Sequence, residues 1–437
     1  MTSTPSGSKF STRRNATFAA LRVRNYRLFF TGQVISNTGN WLTNISLTLL
    51  VLKLTGSGSA VGLLAACQYG PMLLVTPWAG ALVDRYDKRR LLLVTQTIQM
   101  TQSFGLAIMA FQPDPPMAQL YALAIVGGIA LAFDNPLRRS FVSEMVPTEL
   151  LPNAIALNSM VINTARIIGP ALAGLLVTTA GYGWAFLIDA ISYIAALTAL
   201  LLMRPHELYR RARNSRYSGS VRDGVRYIAS MPTLWIPLLM LAMIGTFAYN
   251  FTVTFPLFIT KSLDGSERQY TIIYSVFSCG AIASALFVAS RAHTTIRHII
   301  RGAAFMGMAL AVFSLVPGTL LALPAAFLIG VASILYTTAT TTNFQMEAEQ
   351  SMHGRVLALQ SSVMIGSSAI GGPLLGSLSD VFGARILIDI GAVACFVAAL
   401  WGHTMYGRYG PTEQGDAPVA VLESKPAHSS GSSGSGR

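Results

Sequence analysis

The chain has 437 residues and a formal net charge of +13, with 52% hydrophobic and only 11% charged residues. Soluble domains carry about a quarter charged residues, so most of this surface is expected to meet something other than water. The apolar runs do not alternate apolar and polar residues, which excludes a membrane β-barrel. The composition therefore predicts an all-α integral membrane protein.

The first 24 residues are polar and basic. No short apolar core leads to a small-residue cleavage site, so no cleavable signal peptide is expected. Beyond them, runs of about 20 residues with few charges are long enough to cross ~30 Å of hydrocarbon as helices. Twelve spans are predicted: 26–52, 59–83, 91–111, 117–143, 153–179, 183–203, 233–259, 270–290, 299–316, 319–343, 356–379 and 385–406.

These spans predict two six-helix lobes related by pseudo-two-fold symmetry. The predicted parts are a cytoplasmic N-terminal tail (1–24), a first lobe (25–203), a basic cytoplasmic linker (204–231), a second lobe (232–407) and a disordered cytoplasmic tail (408–437). The linker contains a short predicted surface helix at 221–228, which rests either against lipid or in solvent.

Charge orients the spans. With a cytoplasmic N-terminus, 26 of the 31 basic residues fall in the N-terminal tail, in cytoplasmic segments or in the C-terminal tail. Basic loops are retained on the cytoplasmic side, so both termini are expected there, in a bacterial plasma (inner) membrane whose lipids surround the protein. A nucleic-acid partner is not expected, because it would not explain this segregation.

The first span carries a polar stripe. Gln33, Asn37, Asn40 and Asn44 are spaced as i, i+4, i+7 and i+11, which places them on one helix face. Polar stripes inside a membrane point toward a water-filled path. We therefore expect these four residues, with Tyr69 and Tyr249 as aromatic neighbours, to line a cavity for a small-molecule substrate.

A basic turn separates spans 2 and 3. Glycine, an aspartate and a basic cluster follow one another there and predict a charged latch that holds one conformation of a moving lobe. The residues concerned are Gly80, Asp84, Arg85, Arg89 and Arg90. This segment resembles the signature loop of the major facilitator superfamily, although Asp87 stands where many members have glycine.

Span 4 contains an acid and a base at i and i+4, Asp134 and Arg138, in the favourable order on one helix face. Together with 151–159, this phrase resembles the twelve-span exporters that include the enterobactin exporter and the macrolide efflux proteins. Arg166 lies near the middle of span 5, where a lone guanidinium needs an acid or a polar cavity. Asp134 is its nearest acid by depth, so the three residues are expected either to couple transport to protons or to form a static structural pair.

A motif is repeated half a chain apart. Residues 168–174 and 370–376 share an Ile-Gly-Pro-Leu-Gly character at an offset of 202 residues, which predicts duplicated lobes facing each other across a substrate path. The small residues allow helices to pack closely, and close packing accounts for them without further function. The motif residues are Gly169, Pro170, Gly174, Gly372, Pro373 and Gly376. In the superfamily, the phrase in span 5 resembles the motif of drug:proton antiporters.

Two aspartates also repeat, Asp189 and Asp389, near the outer starts of spans 6 and 12. Their symmetry favours a helix-terminus or gate role over chemistry. The chain contains no phosphate-binding glycine loop and no histidine pair with metal spacing, so no cofactor and no metal are expected, and the protein is not expected to be an enzyme.

The preferred interpretation is a monomeric exporter of small amphiphilic molecules (a drug, a siderophore or a secondary metabolite) that works by proton antiport and alternating access. Such an activity would contribute to multidrug resistance or siderophore export. The alternative is a facilitator or importer of a small anionic metabolite that binds at Arg166. A membrane sensor or scaffold would need a folded output domain, and the cytoplasmic segments are too short for one.

Overall fold

The computed structural model describes residues 18–209, 221–288 and 295–409. Most of the predicted N-terminal tail, the middle of the predicted linker and nearly all of the predicted C-terminal tail lie outside these ranges. The described residues form helices and contain no strand. The all-α prediction is therefore confirmed for this part of the chain.

The helices follow the predicted spans closely. In the first half they are α1 (Arg24–Thr55), α2 (Gly58–Arg85), α3 (Lys88–Ala110), α4 (Met117–Met145), α5 (Leu151–Thr179) and α6 (Tyr182–Leu202). A short helix follows, α7 (Val221–Ser230). In the second half they are α8 (Pro232–Phe247), α9 (Phe251–Leu257), α10 (Glu267–Val288), α11 (Ile296–Ser314), α12 (Thr319–Glu347), α13 (His353–Phe382) and α14 (Arg385–Tyr409).

One predicted span is broken. The span over 233–259 is divided into α8 and α9 by residues 248–250, and a π-helical turn over Phe258–Ser262 continues α9. Asn250 fills the break, because its side-chain amide donates to the carbonyls of Gly245 (3.2 Å) and Thr246 (2.8 Å). This satisfies backbone oxygens that the interrupted helix would otherwise leave unpaired in the membrane.

Nine helical segments within the described ranges are long and apolar enough to cross a membrane. Helices α1, α3 and α13 have sufficient length but are not among them. In α1 and α3 the reason is visible in the sequence, because both carry rows of asparagine, glutamine and threonine. A helix that faces protein or a water-filled path can carry such residues. The count of twelve spans stays a prediction.

Helix contacts repeat between the two halves. Helix α2 packs on α4 as α10 packs on α12, α3 on α6 as α11 on α14, and α1 on α5 as α8 on α13. Each half is thus a bundle of the same design, which we call the first lobe (α1–α6) and the second lobe (α8–α14). The lobes meet along α2 with α13 and along α5 with α10.

The two ends of the bundle differ. We call the end where α1 begins and α14 finishes the terminal end, and the opposite end the far end. An added Cβ on Gly174 would overlap Thr271 of α10, and one on Gly376 would overlap the backbone of Gly58 in α2. These glycines lie in the far half of α5 and α13, so the lobes are pressed together on the far side.

Helix α7 packs on the terminal end of the second lobe. Ile228 is buried against Leu234, Phe344 and Val356, and the Tyr227 hydroxyl accepts a hydrogen bond from the Glu349 amide at 2.9 Å. Ile228 of this short helix is therefore covered by protein, whereas Val225 on the same helix is exposed.

Candidate transport site

A cavity of about 340 Å³ lies among the helices of the first lobe. Its lining residues run from Gln33 to Arg166 in sequence, so every one of them belongs to the first lobe. All four residues of the α1 polar stripe line it, and so do Tyr69, Asp134, Arg138 and Arg166. The helical spacing of the stripe was enough to place those side chains on the inner face.

Asp134 is buried in this wall. It forms an ion pair with Arg138 one turn along α4, and its Oδ1 accepts hydrogen bonds from Thr95 Oγ1 (3.0 Å) and Gln96 Nε2 (2.9 Å) on α3. A carboxylate at this depth is costly unless it is paired and hydrogen-bonded. Here a cation and two neutral donors meet that requirement.

Arg138 connects this carboxylate to the polar stripe. Its Nη1 donates to Gln33 Oε1 and, at 3.1 Å, to Asn37 Oδ1 on α1. The Asn37 amide in turn donates to Gln33 Oε1 at 3.1 Å. A change in the charge of Asp134 would therefore reach α1 through a single side chain.

Sequence reasoning missed a second polar row on α3. Gln96, Gln99 and Gln102 follow one another at three-residue intervals, and Thr95 and Ser103 flank them. All five are buried, and Gln99 accepts from the Tyr193 hydroxyl at 2.9 Å. Their spacing was the same signal that identified the stripe on α1, and it could have found them.

Arg166 does not contact Asp134, which corrects the prediction that this acid, the nearest by depth, would be its partner. Its guanidinium lies over the Trp41 ring, 5.4 Å from the centroid. The buried Nε has no hydrogen-bond partner, and among the described residues Arg166 takes part in no ion pair. Depth in the membrane suggested the pairing, but the rotation of α5 directs the side chain elsewhere.

Asp189 is also placed differently from its prediction. It lies in the second turn of α6, buried inside the first lobe, and its Oδ2 accepts from Thr43 Oγ1 and Ser103 Oγ, both at 2.7 Å. It therefore does not cap the end of a helix, and its gate role stays a prediction. Asp389 is bonded to Ser314 within the second lobe and likewise does not lie between the lobes.

Tyr249 lies outside the cavity. Its hydroxyl donates to the Ser333 carbonyl at 2.6 Å, and its ring packs against Phe251 and Tyr336. It is part of the aromatic interior of the second lobe, which corrects its assignment to the cavity lining. Tyr69 does line the cavity.

The basic turn between α2 and α3 is partly described. The surroundings of Gly80 and the side chains of Asp84 and Arg85 lie outside the described part. Arg89 donates from Nε to the Leu200 carbonyl (2.7 Å) and from Nη2 to the Leu201 carbonyl (3.1 Å), which caps the end of α6, whereas Arg90 is exposed.

Asp87, at the position where glycine is common in similar loops, acts as the N-cap of α3. Its Oδ1 accepts from the Arg90 amide at 3.0 Å. Its φ of −66° requires no glycine at this position.

The two glycine motifs occupy equivalent contacts. In α5, an added Cβ on Gly169 would overlap Trp41 within the first lobe, and Gly174 faces the second lobe. In α13, Gly371 faces α8 within the second lobe, whereas Gly372 and Gly376 face α2 across the interface. Pro170 and Pro373 lie inside these helices. Each motif thus serves one contact inside its lobe and one between lobes.

Asp380, in the last turn of α13 just beyond its predicted span, joins the lobes at the far end. Its carboxylate accepts from the amides of Gly58 (2.7 Å) and Ser59 (2.8 Å) at the start of α2, and from the hydroxyls of Ser57 (2.8 Å) and Ser59 (2.6 Å). An acid on one lobe therefore caps the positive helix end of the other. Sequence reasoning missed this contact, because nothing local links the two positions.

Comparison with known proteins identifies the family. The family model described as transmembrane secretion effector, MFS_3, matches residues 15–419. The staphyloferrin A transporter of Staphylococcus aureus is 25% identical over 369 residues, which cover 82% of this chain and 90% of that protein. The enterobactin exporter EntS of Shigella flexneri is 24% identical over 360 residues, covering 81% and 84% of the two chains.

Solved structures show the same fold. A bacterial homologue of the human lysosomal transporter Spinster, in an inward-facing conformation, superimposes with a TM-score of 0.68 at 15% identity, over 92% of this chain and 98% of that one. A POT family transporter in complex with 5-aminolevulinic acid gives 0.71 at 11% identity, over 89% and 97%. The chain is therefore a membrane transporter, not an enzyme, and it belongs to the transmembrane secretion effector family of the major facilitator superfamily.

Proposed function

We propose that this protein exports small amphiphilic molecules of the siderophore class and drives the export with protons entering the cell. The observation that carries the proposal is the buried Asp134–Arg138 pair in the cavity wall. A buried acid that lines a cavity and is paired with a single cation can carry a proton in one state, released from Arg138, and be ionised on Arg138 in the other. That is what a proton carrier needs.

The coupling step follows from the contacts. When Asp134 is ionised, Arg138 is held between it and the α1 residues Gln33 and Asn37. When Asp134 takes a proton, Arg138 loses its counter-charge and is free to pair elsewhere, which loosens α1 from α4. A shift in this contact biases how the first lobe sits on the second.

The orientation belongs to the same proposal. The segregation of basic residues supports a cytoplasmic terminal end. With the far end closed by Gly174, Gly376 and Asp380, the described structure is then the inward-facing state that collects its substrate from the cytoplasm. Two relatives carry siderophores according to their names, staphyloferrin A and enterobactin, and these are the first substrates to try.

The test is flux in proteoliposomes loaded with enterobactin or staphyloferrin A, with and without an imposed pH gradient. Gradient-driven flux that is lost in Asp134→Asn, while the variant still folds and equilibrates substrate across the membrane, is the expected result. Flux that is indifferent to the gradient would replace the proposal with the facilitator alternative. Gradient-driven flux in the variant would remove Asp134 from the mechanism.

A further inference from the structure

The charges of the cavity do not balance. Its lining residues include one carboxylate, Asp134, and three guanidinium groups, those of Arg138, Arg139 and Arg166. Asp134 is committed to Arg138. The wall is therefore electropositive, and a cavity with low-dielectric walls concentrates ions of the opposite sign.

Arg166 is the half-buried arginine of this cavity whose side chain has neither a hydrogen bond nor an ion pair with a described residue. No hydrogen bond from its side chain to a described residue is present, and its buried Nε is without an acceptor. The Trp41 face, at 5.4 Å, offers only a cation–π contact. The described residues therefore supply this half-buried guanidinium with no anion, and a carboxylate entering the cavity would provide one.

The cavity that contains Arg166 has both aromatic and amide side chains in its wall. Trp41, Tyr69 and Met72 line the same cavity as Arg166. The carbonyl of Arg166 accepts from Ser278 Oγ at 3.3 Å, so this part of α5 touches the second lobe directly. A ligand bound here would contact both moving bodies.

We infer that Arg166 and Trp41 form a subsite for the anionic group of an aromatic carboxylate, with its ring against Tyr69 and Met72. The planar guanidinium matches a carboxylate in bidentate geometry. The subsite rests on the proposed transport role of the cavity and names the substrate class it takes. It also gives Arg166 a role separate from Asp134, namely recognition rather than proton coupling.

The test is equilibrium binding to the purified full-length protein in lipid nanodiscs, with no gradient. The probes are 2-naphthoate and its neutral counterpart 2-naphthamide, which have the same ring and nearly the same size. Wild-type protein is expected to bind naphthoate at least tenfold more tightly than naphthamide. Arg166→Gln is expected to lose that preference while keeping naphthamide binding within twofold, and Arg166→Lys is expected to keep part of it.

Arg408→Gln is the matched control, because it removes a guanidinium that also lies over an aromatic ring, Tyr409 at 5.8 Å, but at the end of α14. It should leave both affinities unchanged. The inference is overturned if wild-type protein shows no preference for naphthoate, if Arg166→Gln retains the preference, or if both probes lose affinity together. Since no gradient is present, a failure of proton coupling would not affect this binding result. If the protein transports substrate along a pH gradient but does not prefer naphthoate, the subsite is wrong and the proposed export function stands.

Discussion

The two lobes share one helix arrangement but differ in what they bury. The first lobe buries two carboxylates, Asp134 and Asp189, in rows of glutamine, asparagine, threonine and serine. Among its described residues, the second lobe fully buries no acidic or basic side chain. Its interior is instead an aromatic cluster in which Phe251, Phe255 and Phe277 lie with ring centroids 4.9–5.6 Å apart.

The internal repeat makes this difference specific. At the offset of 202 residues that relates the glycine motifs, Asp134 corresponds to Tyr336, Arg138 to Thr340 and Arg166 to Ser368. At these three positions the two copies of the bundle differ, and only the first lobe carries charge there. Under the proposed proton coupling, charge moves within the first lobe alone, and the second lobe serves as its packed partner.

The largest expected effect is at Asp134, compared with Tyr336 at the equivalent position of the second lobe. Asp134→Asn should reduce gradient-driven export at least a hundredfold, because an amide can neither take up a proton nor act as the counter-charge of Arg138. Tyr336→Phe, at the equivalent position, should leave export within twofold, since the buried Tyr336 hydroxyl has no hydrogen-bond partner. Equal losses in the two variants, measured as proteoliposome flux, would show that the lobes are functionally alike.

The next largest effect is expected at the glycine motif of α5, where Gly174 contacts the second lobe and Gly169 contacts Trp41 inside the first lobe. Gly174→Val should hold the lobes apart at the far end and lower export at least tenfold, because its side chain would overlap Thr271. Spin labels at Asp114→Cys and Gly318→Cys, one on each lobe at the far end, in a background without the three native cysteines, should report a longer distance. An added Cβ on Gly318 meets nothing within 4 Å, so a label is tolerated there.

Gly70→Val is the control for this substitution, since an added Cβ there meets nothing within 4 Å. Gly169→Val, which overlaps Trp41 inside the first lobe, should instead lower thermal stability without lengthening the far-end distance. An unchanged distance in Gly174→Val would show that this contact does not close the far end.

A smaller effect is expected at Asp380. Burial by itself raises the pKa of its carboxyl, but the hydrogen bonds from Ser59, Gly58 and Ser57 outweigh it and hold the pKa well below the usual range. The ionised Asp380 carboxylate therefore stabilises the closed far end fully above the ordinary pKa of about 3.9. This stabilisation is lost only as the pH falls through the lowered pKa.

The far-end distance should consequently be constant between about pH 5 and 8. Asp380→Asn should weaken closure by about 1–2 kcal/mol, or about five- to thirtyfold in the closed-to-open ratio, because the negative charge is removed and one of the two accepting oxygens becomes an NH2 group that cannot accept. The same double spin labelling measures it. A distance that lengthens in the wild type between pH 7 and pH 5 would contradict this assignment.

The smallest expected effect concerns the basic turn. Arg89→Gln should lower the free energy of unfolding by about 1 kcal/mol, because two hydrogen bonds to the end of α6 are lost at a partly exposed site. Arg90→Gln, its exposed neighbour, should change nothing measurable. Thermal unfolding in detergent would check this, and equal effects of the two substitutions would indicate a general loss of positive charge instead.

Helix positions could be predicted because they depend on local composition. Uncharged runs of membrane length gave helix ends mostly within about four residues of those observed, and the polar spacing in α1 gave its inner face. These properties need only the period of a helix and the thickness of a bilayer.

Pairings between helices could not be predicted in the same way. The choice of Arg138 rather than Arg166 as partner of Asp134 depends on how α5 is rotated about its axis. The burial of Asp189 depends on how α1, α3 and α6 meet, and the Asp380 contact joins positions more than 300 residues apart. The break at Asn250 is stabilised by a side chain whose role appears only once the helix is interrupted.

The most direct test of proton coupling through Asp134 is to count protons. Substrate-driven proton movement can be followed with a pH-sensitive dye inside proteoliposomes, in wild-type protein and in Asp134→Asn, with enterobactin added on one side. We expect at least one proton to move opposite to each substrate molecule in the wild type, and substrate exchange without proton movement in the variant. Equal proton movement in both proteins would contradict this assignment.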